Sequence, residues 1–166
     1  TLGEGGHSEA FLAAFPDLRI IGIDADIRIQ ARARERLAPF GDRMCFFPGW
    51  SDDFFRDYPS DQKRPDIILM DLGISLFHYE KSGRGFSFRS DEPLDMRLDP
   101  QSGESAADIV NSMQETALAD LIFNYGEERY SRRIAKAICE ARKSAPFTVA
   151  RALADCVYHA VPADYR

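Results

Sequence analysis

Hydrophobic and polar positions follow two different rhythms along the chain. Up to about residue 80, short apolar runs alternate with segments of helical period. "LRIIGID" (18–24) is an apolar run ending in an acid, "MCFFPGW" (44–50) is closed by Pro48 and Gly49, and "PDIILMDLG" (65–73) carries the strongest strand signal in the chain. Short, continuously apolar runs bounded by turn residues predict strands buried on both faces, as in a parallel sheet. Between them, "SEAFLAAF" places Ala10, Phe11, Ala14 and Phe15 at helical spacing. "IRIQARARERLAPF" sets Ile27, Ala31 and Leu37 on one side, and "SDDFFRDY" begins with Ser51 as the expected N-cap. Strand and helix in alternation predict an α/β domain with a doubly wound parallel sheet.

From about Ser105 the period stays helical. "TALADLIFNYGEER" spaces Leu118, Leu121, Ile122 and Tyr125 along one face, and "GEERYSRRIAKAICEARK" does the same with Tyr130, Ile134, Ile138 and Ala141. "TVARALADCVYHAV" lines up Val149, Leu153, Val157 and Ala160 behind Thr148 as the expected N-cap. Between the two rhythms lies "GRGFSFRSDEPLDMR" (83–97), where Phe86, Phe88, Leu94 and Met96 sit among Arg84, Arg89 and Arg97, and Pro93 and two glycines break any period. The expected organisation is an α/β core over 1–80, an irregular loop over 81–104 and an all-helical unit over 105–166. "TLGEGGHS" opens the chain with a glycine loop of the kind that follows a strand, and "AVPADYR" stops just past a helical pattern. Both ends therefore read as truncated.

Charge and composition narrow the function classes. A net charge of −6 argues against a nucleic-acid-binding surface over the whole molecule and leaves room for a local basic patch. Cys45, Cys139 and Cys156 are an odd set without metal-ligand spacing, which predicts reduced, buried thiols of a cytoplasmic protein. His7, His78 and His159 are scattered, so no metal site is expected. No run is long enough to cross a membrane.

The chemistry begins at the glycine loop. Gly3, Gly5 and Gly6 stand immediately before a helix, where free N–H groups and the helix dipole favour a negatively charged group. Asp24, at the end of the next strand, is placed to accept hydrogen bonds from ribose hydroxyls. The NAD fingerprint needs a third glycine where this chain has Ser8, so S-adenosylmethionine is the other nucleoside cofactor to weigh. Trp50, after the following strand, can stack on adenine, and Asp71 ends the third apolar run. Gly5, Asp24, Trp50 and Asp71 would converge at the carboxyl ends of the strands, where such sheets bind ligands. Each has a plainer reading: Asp24 as a turn residue, Trp50 as core, His7 as a local cap, Asp71 as the N-cap of the next turn. The arginines of 127–143 can be a solvated helix face.

"TLGEGGHS", "DLGIS", "GRGFSFRSDEPLDMRLD", "SAADIVN" and "YGEERYSRRIAKAI" together resemble the bacterial RsmH family, also called MraW, along nearly the whole chain. These are S-adenosylmethionine-dependent methyltransferases of small-subunit ribosomal RNA. The resemblance implies a Rossmann-like class I methyltransferase fold with an inserted helical domain. The reaction it implies is methylation of the exocyclic N4 of a cytidine in the decoding centre of 16S rRNA, within the small ribosomal subunit. Carried over by position, the cofactor contacts fall on Gly5, Gly6, His7, Asp24, Trp50, Asp71 and His78. Trp50 stands where many members have phenylalanine, and "DLGISLFH" has Leu76 and His78 where the family often has serine and glutamine.

Against that background, Phe86 and Phe88 offer faces for base stacking, while Arg84, Arg89 and Arg97 can contact phosphates or stack themselves. The plainer reading is an Ω-loop packed by its own aromatics, with the arginines paired to Asp91, Glu92, Asp95 and Asp99. Asp71 is the expected catalytic residue, accepting a hydrogen bond from the target amine. Other readings are a methyltransferase of another RNA or of a protein, a noncatalytic RNA-binding or ribosome-assembly module, and an NAD-dependent oxidoreductase.

Overall fold

The computed structural model describes residues 1–165. The chain divides into two compact units, Thr1–Ser75 and a second that begins at Leu76.

The first unit is mixed α/β. It runs through α1 (Gly6–Ala14), β1 (Ile20–Asp24), α2 (Ile27–Leu37), a 3-10 turn (Ala38–Arg43), β2 (Met44–Pro48) and α3 (Ser51–Arg56). The strands pair in parallel, from Ile20 opposite Met44 to Asp24 opposite Pro48. Parallel strands need a crossover, and α2 supplies it. On the other side of β1, the Leu2 N–H donates to the Ile23 carbonyl at 2.9 Å, so the chain entering the glycine loop lies along that edge. Leu12, Ala33, Leu37 and Met44 form the buried core, flanked by Leu2, Ile20, Phe40 and Phe46.

The inward faces of the helices differ from the expected ones. α1 buries Leu12, while Phe11 and Phe15 are exposed. α2 buries Ile29, Gln30, Ala33 and Leu37, and Ile27 faces out. Gln30 hid that face from a purely apolar count. It is buried because its Nε2 donates to the Phe47 carbonyl at 2.7 Å, tying α2 to β2. Trp50, not Ser51, is the N-cap of α3.

The strand expected over 65–71 is not formed. Among the described residues, no backbone hydrogen bond joins 65–70 to β1 or β2, and Ile67, Ile68, Leu69 and Met70 are all exposed. An apolar run becomes a strand only when a neighbouring backbone completes its ladder. The doubly wound sheet expected from the pattern is a two-stranded parallel sheet here.

The second unit is helical: α4 (Leu76–Glu80), α5 (Ala106–Ser112), α6 (Glu115–Gly126), α7 (Ser131–Ala141), α8 (Ala150–Ala160) and a final 3-10 turn (Ala163–Tyr165). α7 packs on both α6 and α8. Ile134, Ala135, Ile138 and Cys139 of α7 meet Leu118 and Ala119 of α6, with Ala150 and Ala160 of α8 in the same core. Burying a Leu- or Ile-sized side chain contributes about 1.5–3 kcal/mol, so this stripe is the main source of cohesion. α5 begins with a capping box, Ser105 and Asp108 bonding each other's backbone N–H. The expected face of α6 holds at Leu118 and fails at Tyr125, which is 87% exposed one residue before the helix ends.

The irregular segment belongs to this unit. Leu94 is 3% exposed and sits in the helical core. Pro93 forms an antiparallel bridge with Val149, the Leu94 N–H donates to the Thr148 carbonyl and the Ala150 N–H donates to the Glu92 carbonyl, both at 2.9 Å. Those main-chain ties make Val149, not Thr148, the N-cap of α8.

Candidate functional site

The rim of the small sheet gathers the residues expected to hold a cofactor except His78. Gly5 is the N-cap of α1 with φ 82°, and no side chain caps the helix. A Cβ on Gly5 would lie 2.9 Å from Leu37 Cδ1, so the left-handed turn and the close approach of α2 both require glycine. Asp24 fixes the loop from below: its Oδ2 accepts the Gly3 N–H at 2.9 Å and its Oδ1 accepts the Asp26 N–H at 3.0 Å. One bond to each oxygen leaves the carboxylate with acceptor capacity on both. The Gly49 N–H donates to the Asp24 carbonyl at 2.9 Å, which sets the exposed Trp50 ring one residue past the same strand tip. Asp71 reaches this region as well, its Oδ2 3.9 Å from His7 Nδ1 in the first turn of α1.

These groups fit a nucleoside methyl donor. An uncapped helix start offers N–H donors, a carboxylate with spare lone pairs suits vicinal hydroxyls, and an exposed indole offers a stacking face. His78 lies in the other unit, on α4. It is buried, its ring meets Phe77 and Phe86 edge-on at 5.8 and 5.2 Å, and the Ser82 hydroxyl donates to its carbonyl.

The arginines of the irregular loop divide into two kinds. Arg84 is buried, and its Nη1 donates to the carbonyls of Arg97 and Leu98 at 2.9 and 2.8 Å. Its guanidinium also lies 5.6 Å from the centroid of the half-buried Phe86 ring. Arg97 grips Asp95 with two bonds, Nε to Oδ1 at 2.7 Å and Nη2 to Oδ2 at 2.9 Å. That pair holds the Asp95 carboxyl below the usual carboxylate range, chiefly through the hydrogen bond from Arg97. Glu92 accepts from the Gly85 N–H and the Ser90 hydroxyl, and Asp99 from the Gln101 N–H and the Ser102 hydroxyl. Phe88 and Arg89 are the exposed members, Phe88 at 66%. The packed Ω-loop therefore describes the inside of the segment, while two of its five proposed substrate residues face solvent.

Two features were not read from the sequence: Gln30 anchors α2, and Arg151 lies beside the loop, its Nη1 3.4 Å from the Arg89 carbonyl. Glu92, read as an arginine partner, instead clamps the Gly85 N–H. Arg151 carries no signal at 62 positions from its neighbour. The thiols also differ from expectation: Cys139 is buried, Cys156 intermediate and Cys45 exposed. Cys45 pairs across the sheet with the exposed Ile21, on the face that the core does not cover. Among the described residues, no group of His, Cys, Asp and Glu side chains could hold a metal ion, and no helix is long and apolar enough to cross a membrane.

The model of the MraW methylase family matches residues 1–166. The chain belongs to that family. It is 66% identical over 166 residues to the ribosomal RNA small subunit methyltransferase H of Treponema denticola, covering 100% of this chain and 53% of that protein. The Treponema pallidum protein of the same name is 47% identical over 182 residues, covering 98% and 48%. That of Borrelia turicatae is 50% identical over 163 residues, covering 98% and 54%. The chain thus spans about half the length of the curated relatives it matches. MraW is a methyltransferase family, and membership implies the class I S-adenosylmethionine-dependent fold, of which the α/β unit carries a small parallel sheet.

Proposed function

We propose that the protein transfers a methyl group from S-adenosylmethionine to the exocyclic N4 of a cytidine in the decoding centre of 16S rRNA, within the small ribosomal subunit. The observation that carries this reading is the convergence on one rim of the uncapped α1 start, the Asp24 carboxylate, the exposed Trp50 and Asp71. The names of the relatives supply the substrate class, and the cytidine N4 rests on the motif resemblance.

In this reading the turn at Gly5 lets the cofactor approach the main chain, Gly6 and His7 present N–H groups to it, Asp24 accepts from its ribose and Trp50 covers its base. Bound there, S-adenosylmethionine supplies an electrophilic methyl group. Asp71 accepts a hydrogen bond from the target amine, whose lone pair is otherwise delocalised into the ring, and His7 stands 3.9 Å from that carboxylate. Holding the amine in line supplies much of the acceleration. His78 contacts the cofactor only by the motif resemblance, and Arg84, Phe86, Phe88, Arg89 and Arg97 form the substrate loop. Residues 1–80 serve as the methyltransferase core, 81–104 as that loop and 105–166 as a helical domain inserted in the fold. The protein works in the cytoplasm on this account.

The test is to incubate the intact protein with methyl-labelled S-adenosylmethionine and small ribosomal subunits from cells lacking the modification, then digest the RNA to nucleosides. Label in N4-methylcytidine is the expected result. Label elsewhere would replace the target. RNA binding without any transfer would favour a noncatalytic assembly module instead.

A further inference from the structure

Phe88, Arg89 and Arg151 are brought together by backbone pairing between distant parts of the second unit. Residues 92–94 bond to 148–150 through the Pro93–Val149 bridge and its flanking hydrogen bonds, which sets the first turn of α8 against the loop tip. Arg151 donates to the Arg89 carbonyl at 3.4 Å, using one N–H and leaving the others for solvent. Among the described residues neither Arg89 nor Arg151 takes part in an ion pair, unlike Arg32, Arg36, Arg56 and Arg97. Glu92, on the bridged segment, accepts from the Gly85 N–H and the Ser90 hydroxyl, one bond to each oxygen. Phe88, 66% exposed, stands next to Arg89 in the chain.

We propose that Phe88, Arg89 and Arg151 form a contact surface for a single-stranded segment of the RNA substrate. One base stacks on the Phe88 ring, and adjacent phosphates meet the two guanidiniums. The inference rests on the RNA methyltransferase reading above and extends the substrate surface to a residue outside the irregular loop. An exposed ring flanked by cations without acidic partners matches the alternation of base face and phosphate along an unpaired strand. The surface is held in place from behind, because Leu94 is anchored in the helical core and Arg84 and Arg97 are tied within the loop.

The test measures binding of a short labelled single-stranded RNA to the intact protein by fluorescence anisotropy across a salt series. Replacing both arginines, Arg89→Ala with Arg151→Ala, is expected to lower the slope of log affinity against log salt by about 1.4, at about 0.7 per phosphate contact on a single strand. Phe88→Ala is expected to weaken binding by roughly tenfold, and Phe88→Trp to restore it. Wild-type affinity and slope in all variants, or no rescue by tryptophan, would overturn the proposal. If the wild-type protein binds RNA yet transfers no methyl group, the methyltransferase reading falls while the slopes still decide this surface.

Discussion

Two glycine-bearing loops of this protein, 3–6 and 83–85, use their polar groups in opposite directions. In the first, Asp24 holds the loop through one N–H, and the start of α1 is left uncapped and open. In the second, Arg84 points inward and satisfies two carbonyls of its own loop, and Arg97 closes on Asp95. The lesson is that residue type alone does not assign a role. An arginine in a loop proposed to bind RNA is as able to build the surface as to be the surface, and burial separates the two.

The contrast can be broken most forcefully at Gly85. It has φ 76°, and a Cβ there would lie 2.3 Å from the Pro93 carbonyl oxygen, a backbone atom with little freedom to retreat. Gly85→Ala is expected to destabilise the second unit by about 3 kcal/mol or more, read from the urea midpoint. Arg84→Ala should follow at about 2–3 kcal/mol, because it leaves two buried-side carbonyls without their charged donor. Phe88→Ala, on the exposed tip, should move the same midpoint by less than about 0.5 kcal/mol. A large Phe88 effect with a negligible Arg84 effect would reverse the assignment of inside and outside.

A smaller effect sharpens the comparison through pH. The folded state holds the Asp95 carboxyl below its unfolded value, so the pair with Arg97 contributes its full stability above the unfolded range near pH ~4. That contribution is lost as pH falls through the lower, folded value. The side chains are 22% and 27% exposed, and solvent screening keeps the contribution of the pair small. Asp95→Asn should therefore lower the urea midpoint at neutral pH and flatten its fall on acidification. An unchanged acid profile would mean that Asp95 titrates alike in both states.

How much could be read from the chain itself depended on whether a feature is local. β1, β2, α1–α3 and α5–α8 follow from runs and periods, since the signal and the structure share the same residues, while the short α4 was not read. Residues 65–71 show the limit: their apolar pattern speaks of burial, while strand formation needs a partner backbone that the pattern does not describe. Gly5 and Asp24 were visible as a spacing. Arg151 was not, because its position beside Arg89 is made by a bridge between Pro93 and Val149, and no local rule connects them. Arg84 and Arg97 were read both as substrate contacts and as partners of the loop's own acids; the Arg97–Asp95 pair follows the second reading, while the bonds of Arg84 to two main-chain carbonyls were in neither.

The open rim at Asp24 carries the functional account, and titration calorimetry with S-adenosylhomocysteine tests it most directly. The account predicts one site per chain in the intact protein, with affinity reduced roughly tenfold or more by Asp24→Asn, the loss of one charged hydrogen bond. Equal affinity for wild type and Asp24→Asn would contradict it and return Asp24 to a purely structural role beneath the glycine loop.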